Sequence, residues 1–298
     1  MKKRFKISAI VLVIAILLVG FAVTHFIAPY IIIQPYRANL DITPANYNAS
    51  YEKLAIYTED SLRLSGYLIK SDSIKLKGII IMVHGVGGCK EHFIPLGAKL
   101  SKIGISSIVF DGRAHGESEG QYSTYGYYEK KDVKKVVDFI KSRYTDIPVG
   151  IWGNSLGGAI ALQAMAYDSR LDFGIIESTF ANMDEIVFDY KKRYLKGFGL
   201  KFVSDYALYR AGNIADFDPN EVRPVNAVKE ITKPMFIAHG DADKLIAFKY
   251  GETLFQNLKS TNKIWYPVEN AGHSNLGEKG GKAYQKALFD FIQKNTKQ

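Results

Sequence analysis

One cysteine, Cys89, stands in a chain of 298 residues. No intrachain disulfide can form, which fits a reducing compartment and is equally compatible with an exported bacterial protein. Zinc-ligand spacing, a P-loop, an RNA-binding signature and a G-x-G-x-x-G run after a strand are all missing as well. Nothing calls for a metal, a nucleotide or any other cofactor. There is no internal repeat and no low-complexity tract. The formal charge is +9, but four of the 39 basic residues (Lys2, Lys3, Arg4, Lys6) crowd the first six positions, where no acid offsets them. The remainder is only mildly basic and concentrates its charge on no single motif. That argues against a nucleic-acid partner and for a surface facing anionic lipid.

What is present is ordinary globular composition, 47% hydrophobic and 23% charged, with length for one large α/β domain. Residues 7–28 contain no Asp, Glu, Lys or Arg. As a helix they would extend roughly 33 Å, enough to cross a hydrocarbon core. Basic residues precede this run and none follows until Arg37. The expected topology is a single-pass anchor over residues 1–28, with the N-terminus cytoplasmic and the main domain extracytoplasmic. The alternative is a signal peptide cleaved near Gly20-Phe21-Ala22, giving a secreted protein. His25 within the run reads as incidental. Residues 29–50, with Pro29, Pro35 and Pro44, read as a juxtamembrane linker, and 51–298 as the globular domain.

Residues 54–57 and 62–69 flank a polar turn, as an antiparallel hairpin would. From residue 78 onward, short apolar runs alternate with helical segments. Strands are expected at 78–83, 105–110, 149–152, 173–177, 235–238 and 263–268. Helices are expected at about 91–103, 126–143, 247–258 and 279–294. This alternation predicts a mostly parallel sheet flanked by helices, with function gathered at the carboxyl ends of the strands.

The third of those strands runs into Gly153-Asn154-Ser155-Leu156-Gly157 and then an Ala-rich helix. That is G-x-S-x-G in a strand–turn–helix setting. The turn is tight enough to strain Ser155, and a Cβ on Gly153 or Gly157 would strike neighbouring backbone. Two further polar turns follow strand ends: His239-Gly240-Asp241-Ala242-Asp243 and Ala271-Gly272-His273-Ser274. The chain order is therefore serine, acid, histidine.

With His84-Gly85, the 111–118 loop, the elbow, His239-Gly240-x-x-Asp243 and Gly272-His273, residues 51–298 resemble the α/β-hydrolase superfamily. Within it they look most like membrane-anchored bacterial serine hydrolases of serine aminopeptidase or esterase type. The resemblance implies an α/β-hydrolase fold with a small helical lid. It implies Ser155 as nucleophile, His273 as base and Asp243 as the acid, with Asp241 as the alternative acid, more suited to holding turn N–H groups. The oxyanion hole would use the main-chain N–H groups of Val86 and Leu156. His84, His115 and His239 read as loop organisers, Asp111 and Arg113 as braces, and Cys89 as buried filler.

About 55 residues separate the strand ending at Glu177 from Pro234. Within them Tyr190, Tyr194, Phe198, Phe202 and Tyr206 recur every four residues, interleaved with Lys191, Lys192, Arg193, Lys196 and Lys201. Either the rings pack on the core, or the insertion (about 180–230) forms a lid with basic residues toward lipid headgroups or an acidic substrate. Phe180, Tyr194 and Phe198 are the candidate substrate contacts. The expected activity is hydrolysis of carboxylic esters, with acyl lipids among the substrates considered. A peptidase or amidase using the same residues, or a non-catalytic binding protein on this fold, are the alternatives.

Overall fold

The computed structural model describes residues 2–194, 197 and 199–297, without the side chains of 2–4 and 194. Eight strands form one sheet in the order β1-β2-β4-β3-β5-β6-β7-β8. They are β1 (Tyr51–Tyr57), β2 (Arg63–Ile69), β3 (Gly78–Val83), β4 (Ile105–Phe110), β5 (Val149–Asn154), β6 (Phe173–Glu177), β7 (Met235–Gly240) and β8 (Lys263–Val268). Strand β2 pairs antiparallel with β1 and β4, and every pairing from β4 through β8 is parallel. The expected mostly parallel sheet therefore forms, with the hairpin at one edge.

The helices are α1 (Lys2–Phe26), α2 (Ala28–Ile33), α3 (Ile94–Ser101), α4 (Glu129–Arg143), α5 (Leu156–Tyr167), α6 (Met183–Tyr194), α7 (Lys201–Ala215), α8 (Pro224–Ala227), α9 (Phe248–Asn257) and α10 (Leu276–Lys294). Successive side chains along a strand point to opposite faces. Ile79 and Ile81 of β3 thus join Ile151 and Ile237 against α4, α5 and α9. Ile80 and Met82 join Trp152, Phe173 and Phe236 against α3 and α10. Helix α5 is apolar apart from Gln163 and buried from Leu156 through Met165, and its Ala and Gly residues let it lie close against the sheet.

The N-terminal apolar helix, Phe5–Ile33, is long and apolar enough to cross a membrane. The segment expected as a linker is more ordered than its prolines suggested. Helix α2 buries Pro29 and Ile33, and Ile33 packs with Met183, Leu208, Ala211 and Phe217 of the α6–α7 region. The Ile32 carbonyl accepts from Tyr125 Oη at 2.7 Å, and the Ile33 carbonyl accepts from Ser123 N at 2.8 Å. Arg37 then donates to the carbonyls of His115, Gly116, Ser118 and Gly120. Pro29 lies in the first turn of α2 and Pro44 opens a short 3-10 helix, and the carbonyls that hold Arg37 lie in a loop some eighty residues later.

Candidate active site

The sharp bend between β5 and α5 places Ser155 at the sheet's carboxyl rim with φ 54° and ψ −123°. A non-glycine residue holds such a backbone only when its surroundings over-determine it. Here the Ser155 N–H donates to the Glu177 carbonyl at 2.9 Å, and the Ser155 carbonyl accepts from Thr179 Oγ1 at 2.6 Å. A Cβ on Gly153 would lie 2.1 Å from the Gly157 carbonyl oxygen, and one on Gly157 would lie 1.9 Å from that of Val83. Both glycines are therefore steric requirements of the bend, as its sequence anticipated.

His273 follows β8 and Asp243 follows β7, so both arrive at the same rim. His273 Nε2 lies 2.9 Å from Ser155 Oγ, and His273 Nδ1 lies 2.8 Å from Asp243 Oδ2. A carboxylate only accepts, so Nδ1 carries the proton and Nε2 is left to accept from the serine hydroxyl. The other oxygen, Asp243 Oδ1, accepts from the N–H groups of Leu245 and Ile246 at 2.7 and 2.9 Å. Burial alone would raise this carboxyl. The bonds from His239, His273 and the Ile246 N–H outweigh it and hold Asp243 well below the usual carboxylate range. Asp241 is exposed and accepts from Asn270 N at 2.7 Å, the turn-holding part that suits it. It has no contact with His273 among the described residues.

The loop after β3 runs beside the serine, since a Cβ on Gly85 would lie 3.1 Å from Ser155 Cβ. Leu156 N–H opens α5, and neither it nor Val86 N–H is engaged by another group among the described residues. The loop is held from below. His84 Nδ1 donates to the Gly85 carbonyl at 2.8 Å, and its Nε2 accepts from Gly112 N at 3.1 Å. Burial, with His115 alongside, pushes this imidazole down to about 4, so it is neutral as those bonds require. His115 donates to the Arg113 carbonyl. Burial pushes the Cys89 thiol up to about 12, with Glu91 adding to it, which leaves a buried and unreactive group.

Several supports carry little sequence signal. Lys90, 1% exposed, reaches Asp111, Glu117 and Glu91 at 2.8, 2.9 and 2.9 Å, and its N–H donates to Asp111 Oδ1. Glu177 ends an otherwise apolar strand and accepts from Trp152 Nε1 at 2.7 Å and from Tyr284 Oη. That acid closing an apolar run was the available clue. His239 donates from Nε2 to the Ile246 carbonyl at 2.9 Å and lies 3.4 Å from Asp243 Oδ2. Arg113 pairs with Asp132 and Asp60. It lines a cavity of about 850 Å³ with Arg37 and Tyr128 that contains none of Ser155, Asp243 or His273.

Of the candidate substrate contacts, Phe180 is 2% exposed and packs in the core beside Tyr125. It sits one residue past Thr179 and presents no open face. Phe198 lies outside the described residues, as does the side chain of Tyr194. Lys196 lies outside them as well.

Residues 74–207 match the family model described as serine aminopeptidase, S33. The uncharacterized protein YqkD of Bacillus subtilis (strain 168) is 30% identical over 218 residues, covering 72% of this chain and 70% of that protein. Lysophosphatidylserine lipase ABHD12 of Macaca fascicularis is 32% identical over 187 residues, or 59% of this chain and 44% of the lipase. The chain thus spans less than half the length of that relative. The Pyrococcus furiosus esterase Pf2001 superposes with a TM-score of 0.73 at 24% identity, covering 88% of this chain and 97% of the esterase. The α/β hydrolase GrgF from Penicillium sp. sh18 does so at 0.64 and 16%, covering 83% and 99%. At those identities the two solved structures establish the fold.

Proposed function

This chain belongs to the α/β-hydrolase superfamily, and from that premise we propose that it is a membrane-anchored serine hydrolase cleaving carboxylic esters. Ser155 is the nucleophile, His273 the base and Asp243 the orienting acid. The observation that carries this reading is one continuous relay from three separate strand ends, 2.9 Å from hydroxyl to imidazole and 2.8 Å from imidazole to carboxylate.

As Ser155 Oγ attacks the ester carbonyl, its proton passes to His273 Nε2. The imidazolium that forms is stabilised by Asp243, which stays ionised. The carbonyl oxygen becomes an oxyanion and accepts from the N–H groups of Leu156 and Val86. The Leu156 donor also has the positive end of the α5 dipole behind it. On collapse the alcohol leaves with the proton from His273, and the acyl group stays on Ser155. Water, deprotonated by His273, then attacks the acyl-enzyme and frees the acid and the serine.

Helix α1 supports the anchor, with the N-terminus cytoplasmic by virtue of Lys2, Lys3, Arg4 and Lys6. The lipase relatives' name supports acyl lipids as the ester class. The serine aminopeptidase family model favours a second reading, cleavage of aminoacyl amides by the same residues. Purified full-length protein should hydrolyse p-nitrophenyl butyrate, and Ser155→Ala should not. Unchanged hydrolysis by Ser155→Ala would count against the proposal, and turnover of an aminoacyl p-nitroanilide at a higher kcat/KM than any ester would favour the peptidase.

A further inference from the structure

Helix α7 has two opposed faces. Ser204, Ala207, Leu208 and Ala211 are buried on one. On the other, Phe202 and Tyr209 are 68% and 62% exposed, with Leu200 at the N-cap 59% exposed. Phe202, Tyr206 and Tyr209 follow an i, i+4, i+7 spacing and so form one stripe. Large rings left this open on a helix need an explanation that core packing does not supply.

The middle ring of the stripe identifies the neighbour. Tyr206 Oη lies 2.7 Å from His25 Nδ1, and its ring stacks on Phe21 with centroids 6.3 Å apart. Both partners are in the last turns of α1, and no part of the helix's most apolar window is buried within the protein. From residue 7 to residue 26 that helix rises about 30 Å, one hydrocarbon thickness. His25 therefore sits at the level where an apolar core gives way to headgroups, and α7 is fastened there by the face that carries its open rings. Aromatic side chains are favoured at that depth.

We propose that α7 is an interfacial helix, lying along the surface of the bilayer that α1 spans, with Leu200, Phe202 and Tyr209 in the headgroup–acyl boundary. The proposal rests on reading α1 as a bilayer span. It deepens the ester-hydrolase reading by naming the substrate class as an amphiphilic ester drawn from the leaflet. The element next to α7 in the chain also touches the candidate site's surroundings. Helix α6 precedes α7, and its Arg193 donates to the Leu245 carbonyl at 2.5 Å, in the loop that holds Asp243. Asp189 of the same helix accepts from Tyr250 Oη at 2.6 Å.

The test is nitroxide depth measurement on full-length protein in phosphatidylcholine–phosphatidylglycerol nanodiscs. Cys89 is buried, so an introduced cysteine can be labelled alone. The labelled variants are Phe202→Cys, Tyr209→Cys, Leu17→Cys as the deep marker and Tyr57→Cys on β1 as the aqueous marker. Relative access of oxygen and a nickel chelate should place labels 202 and 209 between the two markers. Water-like values at 202 and 209 with a deep label at 17 would overturn the proposal and leave the anchor standing. Water-like values at 17 as well would overturn both. Dipolar broadening between copies at 202, abolished by dilution with unlabelled protein, would assign the face to a second copy instead. In parallel, Phe202→Asp should lower the rate on a long-chain ester in vesicles by about tenfold or more while leaving p-nitrophenyl butyrate hydrolysis unchanged. A Phe202→Asp protein that kept the wild-type rate on the long-chain ester would also refute it.

Discussion

Replacing Asp243 by Asn changes one atom and reverses a hydrogen-bond direction. The oxygen of the new carboxamide must stay with the Leu245 and Ile246 N–H groups, which only an acceptor can satisfy. Its NH2 group then faces His273 Nδ1, where the carboxylate now accepts at 2.8 Å. It also meets the Nε2–H of His239, which lies 3.4 Å from that carboxylate oxygen. His273 must give up its Nδ1 proton, so the proton resides on Nε2, pointing at Ser155 Oγ. An Nε2–H cannot accept the serine proton, and the imidazolium of the transition state loses its counter-charge. Wrong-tautomer substitutions of this kind cost about 10⁴ in kcat, or about 5 kcal/mol of barrier. The assay is kcat on p-nitrophenyl butyrate for wild type, Asp243→Asn and Asp241→Asn, with circular dichroism to check the fold. Among the described residues the Asp241 carboxylate holds only the Asn270 N–H, at an exposed turn, so its variant should stay within about tenfold of wild type. A folded Asp243→Asn enzyme that kept a tenth of its activity, or an Asp241→Asn enzyme that lost as much as Asp243→Asn, would refute the assignment.

Gly157→Ala should fail to fold or lose several kcal/mol, on the order of the largest overpacking penalties, because its Cβ would meet the Val83 carbonyl at 1.9 Å; thermal unfolding within about a degree of wild type would contradict this. Lys90→Met leaves the fully buried Asp111 without its ammonium partner and should cost about 3–5 kcal/mol by urea unfolding, with the double variant Lys90→Met/Asp111→Asn regaining part of the loss. A cost under about 1 kcal/mol would show that the cluster is not a support. His84 is held at about 4 in the fold against 6.5 when free, so the unfolded chain binds more protons between those values. Stability should therefore fall as pH drops from about 6.5 toward 4, by up to roughly 3 kcal/mol. His84→Asn, which does not titrate there, should fall less steeply. Burial of His115 lowers its pKa as well and keeps some slope in the variant, so identical slopes in the two proteins would count against this account.

The elements most legible in the sequence were those fixed by local pattern. Strand β3 begins and ends where its apolar run does, because a strand buried on both faces has no polar position to blur its limits; β4, β6 and the partly exposed edge strand β8 also keep their expected limits. The elbow was legible because its two glycines answer a steric demand within five residues. Supports that act across the chain were not. Arg37 reads as one cation in a proline-spaced stretch, yet it ties down four carbonyls of the 115–120 loop. His25 reads as an accident of composition until Tyr206, 181 positions later, arrives beside it. Glu91 reads as the start of a helix and Lys90 as a residue just before it, and only the fold shows that both are buried beside Asp111. Partners brought together by tertiary contact leave no periodicity to read. The ring stripe was visible as a four-residue repeat, but which rings share a helix depended on α6 ending at Tyr194 and α7 starting at Lys201.

Peptide mapping of the full-length protein after brief exposure to a fluorophosphonate bears most directly on the nucleophile. The adduct should fall on Ser155 alone, form far more slowly in His273→Gln, and be absent in Ser155→Ala. An adduct on another residue, or equal labelling of Ser155 in the folded His273→Gln protein, would contradict a serine activated by that imidazole.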